Sequence, residues 1–159
     1  MLSVGDKVVY PMHGAGIIES IEEKEVHGES RRYFVLNMLF GDMRVMIPVN
    51  GVEGVGVRHV IEKKEIGKLN IIFEDKSVDE EKHANWNRRF NMYLKKLKSG
   101  NICEVADVVR VLANQEKCKK LSTGERRLLN TARQILLSEL MLSFSCDLQK
   151  AESWLEAQL

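Results

Sequence analysis

Trp86 is a large apolar side chain that is followed within three positions by two arginines, Arg88 and Arg89. An indole of this kind can be buried as an anchor of the core. It can also act as an apolar wedge at a base step of DNA while guanidinium groups contact the phosphates. The helical spacing of Trp86 with Phe90 and Tyr93 favours the core, whereas its place in the first turn of the predicted helix, beside both arginines, favours the wedge.

A second basic group surrounds the start of a later predicted helix. Arg126 and Arg127 follow Ser122 in its first turn, and three lysines lie within residues 117–120 just before it. Cations are unfavourable at the positive end of a helix dipole, and the unpaired amide groups of that end form a phosphate site. An anionic partner would explain these basic residues, and simple solubility is the alternative explanation.

The net charge of the whole chain, +1, conceals an asymmetry. Residues 86–133 contain 12 basic and 4 acidic residues, a net charge of +8, whereas residues 1–74 contain 9 basic and 11 acidic residues, a net charge of −2. A basic block of this size suits a polyanion, because neutralised phosphates release condensed counterions. A solvated helical face can be equally basic, so the charge alone does not decide between these interpretations.

Residue types that perform catalysis or bind metals are present, but they are scattered. The three cysteines, Cys103, Cys118 and Cys146, lack metal-binding spacing, and no serine or cysteine comes with a recognisable base. The loop His13–Gly16 lacks the lysine and the following helix that a phosphate loop needs. We therefore predict no catalytic residue, no metal and no cofactor, and we expect the cysteines to be buried thiols in a reducing cytoplasm.

The chain has 159 residues, of which 44% are hydrophobic and 30% are charged, a composition typical of a globular protein with one or two small domains. No apolar run approaches the roughly 18 residues that span a bilayer. The first residues lead directly into a strand pattern without the features of a signal peptide. We expect a cytoplasmic protein that does not bind a membrane.

The first sixty residues predict short strands that are separated by tight turns, at Val4–Tyr10, Ile17–Val26, Arg31–Leu39 and Met43–Val49. In the last of these strands, alternation places Arg44, Met46 and Pro48 on one face. Consecutive short strands of this kind favour a small antiparallel sheet or an SH3-like barrel.

The following residues change to a helical period. They predict helices over 63–73 and 85–98, after the cap-like Asn101, after Ser122, and over 147–159. Ser122 and Glu125 form a capping box, with Ser122 as N-cap. The sequence thus predicts an α+β fold, with an antiparallel β domain over residues 1–61, a connecting segment with a short helix over 62–82, and a compact all-α domain over 83–159.

Four motifs of this sequence resemble those of the CarD/CdnL-type regulators of bacterial transcription. They are Val4–Gly14 (VGDKVVYPMHG), Arg44–Pro48 (RVMIP), Asn85–Phe90 (NWNRRF) and Leu121–Arg126 (LSTGER). The motifs follow the order and spacing of that family and extend over nearly the whole chain. The first motif alone is less specific, because transcription-repair coupling factors carry a similar domain.

The resemblance implies a Tudor-like N-terminal domain that binds the β subunit of RNA polymerase, and a helical domain that contacts promoter DNA. In the family, a tryptophan enters the minor groove at the upstream edge of the melted region and thereby favours the open complex. By position Trp86 is that wedge, which reverses the preference for burial that spacing alone gives. The resemblance places Arg88, Arg89 and Arg126 near the DNA backbone, and Asn91 where relatives can carry a lysine.

On the polymerase side, Lys24 and Val26 match contact positions of the family, and Pro48 closes the matching strand. A second basic contact of the family falls on Met46 in this chain. Arg44 lies two residues earlier on the same predicted strand face. Our hypothesis is that Arg44 takes over the basic contact.

The partners that we expect are therefore the RNA polymerase β subunit and promoter double-stranded DNA, which a monomer would bind with little sequence specificity. Two other classes of function stay open at this stage. One is a polymerase-bound adapter whose helical domain recruits another protein and buries Trp86. The other is an RNA-binding SH3-like module, although the first domain shows no basic face in its sequence. A hydrolase is the most distant alternative.

Overall fold

A computed structural model of the protein describes residues 1–77 and 86–159, so His83 and Asn85 lie outside the described residues. Within those two ranges, the strands are β1 Lys7–Tyr10, β2 Gly14–Val26, β3 Glu29–Met38, β4 Arg44–Pro48 and β5 Arg58–His59. The helices are α1 Val52–Val55, α2 Gly67–Glu74, α3 Trp86–Lys98, α4 Ile102–Cys118, α5 Thr123–Phe144 and α6 Leu148–Gln158. The predicted α+β fold, with a sheet first and helices after it, is confirmed.

The strands form one antiparallel sheet in the order β4-β3-β2-β1-β5. The register places Phe34 between Ile21 and Ile47, and neighbours in an antiparallel pair point to the same face. The side chains on that face form the sheet core, in which Val8, Ile18, Phe34, Leu36, Met38 and Ile47 are buried. Strands β1 to β4 match the predicted strands within three residues at each end, whereas β5 was not predicted.

Gly14 shows why the glycine-rich loop precedes β2. Its φ of +96° lies in the left-handed region, which glycine adopts without the penalty that a Cβ brings. A Cβ at this position would also lie 2.8 Å from the Oγ atom of Ser138 in α5. The glycine therefore lets the backbone turn and lets α5 approach the sheet closely.

The helices α2 to α6 share a second core. Leu97 of α3, Leu112 of α4 and Leu136 of α5 are fully buried there. Leu69 and Phe73 place α2 in the same core, so the described part of the predicted connecting segment contributes to helical packing. Residues 78–82, the remainder of that segment, lie outside the described residues.

The predicted helix caps are confirmed. The Asn101 side chain accepts a hydrogen bond from the Cys103 amide and thereby caps α4. At α5, the Ser122 hydroxyl accepts from the Glu125 amide at 3.2 Å, and the Glu125 carboxylate accepts from the Ser122 amide at 3.1 Å. These reciprocal bonds satisfy amide groups that have no partner inside the helix.

Helix α5 joins the helical core to the sheet. The Ala15 amide donates to the Ser138 hydroxyl at 2.8 Å. Arg58 of β5 donates two hydrogen bonds to the Glu139 carboxylate, at 2.7 and 2.8 Å, and the Ile61 amide donates a third at 2.8 Å. Glu139 is only 1% exposed, so a buried, fully bonded carboxylate fixes the sheet against α5.

The prediction that the cysteines are buried is wrong for Cys118, which is exposed near the end of α4, whereas Cys103 and Cys146 are half-buried. The last turn of α4 projects beyond the core, so this small apolar side chain lies at the surface. Among the described helices, none is both long enough and apolar enough to cross a membrane.

Candidate nucleic-acid interface

Trp86 is the first residue of α3, and its side chain lies against the first turn of α5. A Cβ at Gly124 would lie 2.7 Å from the Cζ2 atom of the indole, so the ring rests directly on that glycine. The centroid of the Phe90 ring is 5.5 Å away. The residue is nevertheless 40% exposed. The indole is thus held at the edge of the helical domain, with part of its surface facing solvent.

This contact brings the starts of α3 and α5 together. The first amide groups of a helix have no partners inside that helix, and the helix dipole makes the same end positive. Each of the two helix starts is followed by arginines, Arg88 after Trp86 and Arg126 after Gly124. The resulting surface combines an exposed aromatic ring with positive charge, and such a surface suits an anionic partner.

Arg89 has a more internal role than its sequence position indicates. Its side chain is 19% exposed, and a terminal nitrogen lies 3.7 Å from the Glu125 carboxylate. The Nε atom of Arg89 is buried and finds no hydrogen-bond acceptor among the residues that the structure describes. Arg89 therefore links α3 to the capping box of α5, in addition to bringing positive charge near Trp86.

Glu125 is the acceptor at the centre of this link. Burial raises the pKa of its carboxyl, but hydrogen bonds from the Ser122 amide and hydroxyl and from the Gln115 side chain, together with the positive charge of Arg89, lower it more, so the net pKa is below the ordinary value. The Gln115 amide lies 2.7 Å from the carboxylate. Glu125 therefore stays ionised at neutral pH and keeps both the helix cap and Arg89 in place.

The other predicted DNA contacts lie at the surface. Arg88 and Asn91 are exposed on α3. Arg126 is 47% exposed and pairs with Glu116 at 2.7 Å. An ion pair this exposed contributes little to stability, so a phosphate can compete for the Arg126 guanidinium. Lys119 and Lys120 are exposed just before α5 and form no ion pair within the described ranges.

The five residues predicted on the polymerase side share one face of the sheet. Val35 of β3 is paired with Ser20 of β2 and with Met46 of β4, and alternation along each strand extends this face. The face includes Lys24 and Val26 on β2, and Arg44, Met46 and Pro48 on β4. It is the face opposite the apolar sheet core, and on it Lys24, Arg44 and Pro48 are exposed, whereas Val26 and Met46 are half-buried.

Arg44 and Met46 differ in their surroundings on this face. The Arg44 guanidinium lies 3.3 Å from the Glu19 carboxylate and is 68% exposed, whereas Met46 is half-buried. Exposed pairs of this kind are weak, so a carboxylate of a partner can replace Glu19. Strand β4 is also the edge of the sheet, and an edge strand presents backbone groups that can pair with another strand.

Comparison with known proteins matches both parts of the chain to one family. Residues 2–61 match the domain described as the CarD-like/TRCF RID domain, and residues 69–156 match the C-terminal domain of CarD. This chain belongs to the CarD family. Members of the CarD family are transcription regulators rather than known enzymes.

One full-length relative and two solved N-terminal domains are similar to this chain. YdeB of Bacillus subtilis strain 168, named as a candidate transcription factor, is 39% identical over 140 residues, which cover 88% of this chain and 90% of YdeB. The solution structure of the 72-residue N-terminal domain of Myxococcus xanthus CarD is 36% identical and covers 37% of this chain and 79% of its own, with a TM-score of 0.32. The structure of CdnLNt from the same organism is 43% identical and covers 40% of this chain and 89% of its own, with a TM-score of 0.35.

The structure brings together residues that spacing could not connect. Gly124 lies under Trp86, and Glu125 binds Arg89, although each pair belongs to two different helices. The LSTGER motif was the available signal, because it placed Gly124 and Glu125 inside a predicted capping box. Among the described residues, no group of three or more histidine, cysteine, aspartate or glutamate side chains is arranged to hold a metal ion.

Proposed function

We propose that this CarD-family protein binds the β subunit of RNA polymerase through one sheet face and contacts promoter DNA through the starts of α3 and α5. In this proposal, Trp86 is a minor-groove wedge at the upstream edge of the transcription bubble, and the wedge stabilises the open complex. The observation that carries the proposal is the half-exposed indole on Gly124, with basic residues on both adjacent helix starts.

The physical basis is a balance between unstacking and contact. Insertion of an apolar side chain between base steps costs a few kcal/mol, and contacts that the distorted DNA permits must offset this cost. Arg88, Arg126 and the exposed lysines before α5 supply positive charge for the phosphates. Because phosphate and groove contacts carry little base information, the protein reads the distortion of the DNA rather than its sequence.

Attachment to the polymerase makes weak DNA contacts sufficient. A protein that is held beside its DNA target binds it at a high effective concentration, so the free protein needs little affinity for DNA. On the sheet face, Lys24 and Arg44 supply charge, Val26 and Met46 supply apolar surface, and Pro48 ends the edge strand. The backbone of β4 offers strand pairing as an additional mode of recognition. In this proposal the protein acts in the cytoplasm as a monomer.

The decisive experiment compares the lifetime of a promoter open complex without regulator, with the wild-type protein and with Trp86→Ala, using the cognate polymerase. We expect Trp86→Ala to shorten the lifetime about tenfold relative to wild type, the change that a loss of about 1.4 kcal/mol produces. Its affinity for the polymerase should stay near wild type, because the sheet face is unchanged.

Arg44→Glu is the matched control on the sheet side. The Arg44→Glu change should weaken polymerase binding and leave Trp86 in place. Any shortening of the lifetime by Arg44→Glu should therefore disappear when the protein is added at a saturating concentration. A Trp86→Ala protein with a wild-type lifetime would instead favour the adapter function, in which the helical domain recruits another protein. Wild-type polymerase binding by Arg44→Glu would reject the role assigned to Arg44.

A further inference from the structure

Gly124 occupies a position where glycine is otherwise unfavourable. It lies in the first turn of α5, and it has a helical backbone conformation, so no left-handed turn requires it. Glycine lowers helix stability relative to alanine because it loses more backbone freedom on folding. The reason for glycine at this position must therefore be the limited room for a side chain rather than the backbone conformation.

The space above Gly124 is filled by the indole. A Cβ at this position would lie 2.7 Å from the Cζ2 atom of Trp86, 3.2 Å from Cη2 and 3.9 Å from Cε2. All three atoms belong to the six-membered ring of the indole. A separation of 2.7 Å is shorter than real Cβ contacts allow, so any side chain at position 124 would displace the ring.

The surroundings of this contact are fixed by bonded groups. Ser122 and Glu125 hold the first turn of α5 through their reciprocal hydrogen bonds, and Gln115 anchors the same carboxylate from α4. Arg89 connects the first turns of α3 to Glu125. The turn that carries Gly124 therefore cannot shift freely, and the indole is the part that would move.

We propose that Gly124 is a positioning residue that seats the Trp86 indole in its half-exposed orientation at the DNA-facing edge. The proposal rests on the proposed wedge function of Trp86. Gly124 itself need not contact DNA. It acts by allowing the indole to lie flush on α5, with its remaining surface directed outward, and alanine at this position would push the ring out of that orientation.

The test compares Gly124→Ala with a matched glycine. Gly67 begins α2, and a Cβ there would meet nothing within 4 Å, so Gly67→Ala makes the same chemical change without a clash. We expect Gly124→Ala to shorten the open-complex lifetime at least threefold while polymerase affinity stays near wild type. Gly67→Ala should leave both quantities unchanged.

A spectroscopic measurement detects the indole directly. Trp154→Phe leaves Trp86 as the single tryptophan of the chain. In that background, Gly124→Ala should shift the emission maximum of Trp86 and increase its quenching by acrylamide, whereas Gly67→Ala should change neither. An unchanged Trp86 emission in the Gly124→Ala protein would overturn the proposal.

A double-mutant comparison separates positioning from general loss of structure. Trp86→Phe removes the larger ring and its conflict with a Cβ at position 124. We therefore expect Gly124→Ala to have no additional effect on the lifetime when it is combined with Trp86→Phe. A further reduction of the lifetime in the double variant would show that Gly124 acts through the fold of α5 rather than through the indole. That result would reject the positioning role of Gly124.

The outcomes distinguish this inference from the proposed function. If Trp86→Ala shortens the lifetime but Gly124→Ala does not, the wedge function of Trp86 is supported and the positioning role of Gly124 is rejected. If Trp86→Ala itself has a wild-type lifetime, both proposals fail. The positioning role of Gly124 is supported if Gly124→Ala shortens the lifetime, shifts the emission of Trp86, and has no further effect on the lifetime when it is combined with Trp86→Phe.

Discussion

The two tryptophans of this chain lie in contrasting surroundings. Trp154 of α6 packs between Phe73 and Phe144, with ring centroids 6.2 and 5.9 Å away, and so joins α2, α5 and α6. Trp86 has Phe90 as its one aromatic neighbour among the described residues, and it is 40% exposed. Trp154 is half-buried between side chains of two other helices, whereas on α5 only a glycine supports Trp86. The comparison teaches that a tryptophan inside a helix can pack against neighbouring helices, whereas one at a helix start stays more open to solvent.

The charge around the two rings sharpens the contrast. The start of α3 carries Arg88 and Arg89 next to the ring, and the start of α5 adds Arg126. Two positions after Trp154, by contrast, α6 carries an acidic residue, Glu156, which pairs with Arg133 at 2.8 Å. An exposed aromatic side chain beside several arginines is the combination that suits nucleic acid.

The largest effect on stability is expected for Trp154→Ala. Removal of a ring that packs between two phenylalanines should lower the free energy of unfolding by about 3 kcal/mol. The matched Trp86→Ala change should lower it by less than about 1 kcal/mol, because much of that ring is already in solvent. Urea denaturation monitored by circular dichroism measures both values. Equal losses for the two variants would show that Trp86 is a core residue.

A smaller loss is expected where α5 meets the sheet. Glu139→Ala removes a buried carboxylate and leaves Arg58 without its bidentate partner. Breaking a buried pair costs about 3–5 kcal/mol, and partial exposure of Arg58 reduces this, so we expect a loss of about 2 kcal/mol. Denaturant titration of Glu139→Ala and Glu139→Gln tests this. A loss of unfolding free energy below about 0.5 kcal/mol for Glu139→Ala would mean that the contact between Glu139 and Arg58 contributes little to stability.

The smallest effect concerns pH at the Trp86 end of α5. The pKa of Glu125 is lowered in the folded protein, so its contribution to stability is present above the ordinary glutamate pKa of about 4.3 and is lost as the pH falls through the folded value. We expect Glu125→Gln to remove about 1 kcal/mol at pH 7 and less at lower pH. Unfolding curves between pH 7 and 3 for both proteins provide the measurement. A difference between them that stayed constant with pH would contradict this linkage.

Local spacing predicted most of the secondary structure. The helix predicted over 85–98 is α3 over Trp86–Lys98, and the Ser122 capping box forms as expected. The face shared by Arg44, Met46 and Pro48 also follows from simple alternation, and the register agrees with it. These features depend on neighbours within a few positions, so the sequence contains the information directly.

The remaining features depend on contacts between distant segments. Strand β5 has two residues and exists through its pairing with β1, and Arg58 meets Glu139 across 81 positions. Arg89 looked like a surface arginine from sequence, yet it pairs with Glu125 of another helix. The contact between Trp86 and Gly124 likewise joins two segments that are distant in the sequence. No periodicity in one segment specifies which residue of another segment will cover it.

Helix α5 has a mechanical consequence for the proposed function. Gly124, beneath the indole, and Ser138, bonded to the Ala15 amide of β2, lie on one continuous helix and are 14 positions apart. At 1.5 Å per residue this is a rise of about 21 Å. In the proposed function, this helix would set the distance between the sheet that we propose binds the polymerase and the indole that we propose enters the minor groove, and thereby the base step that the indole reaches.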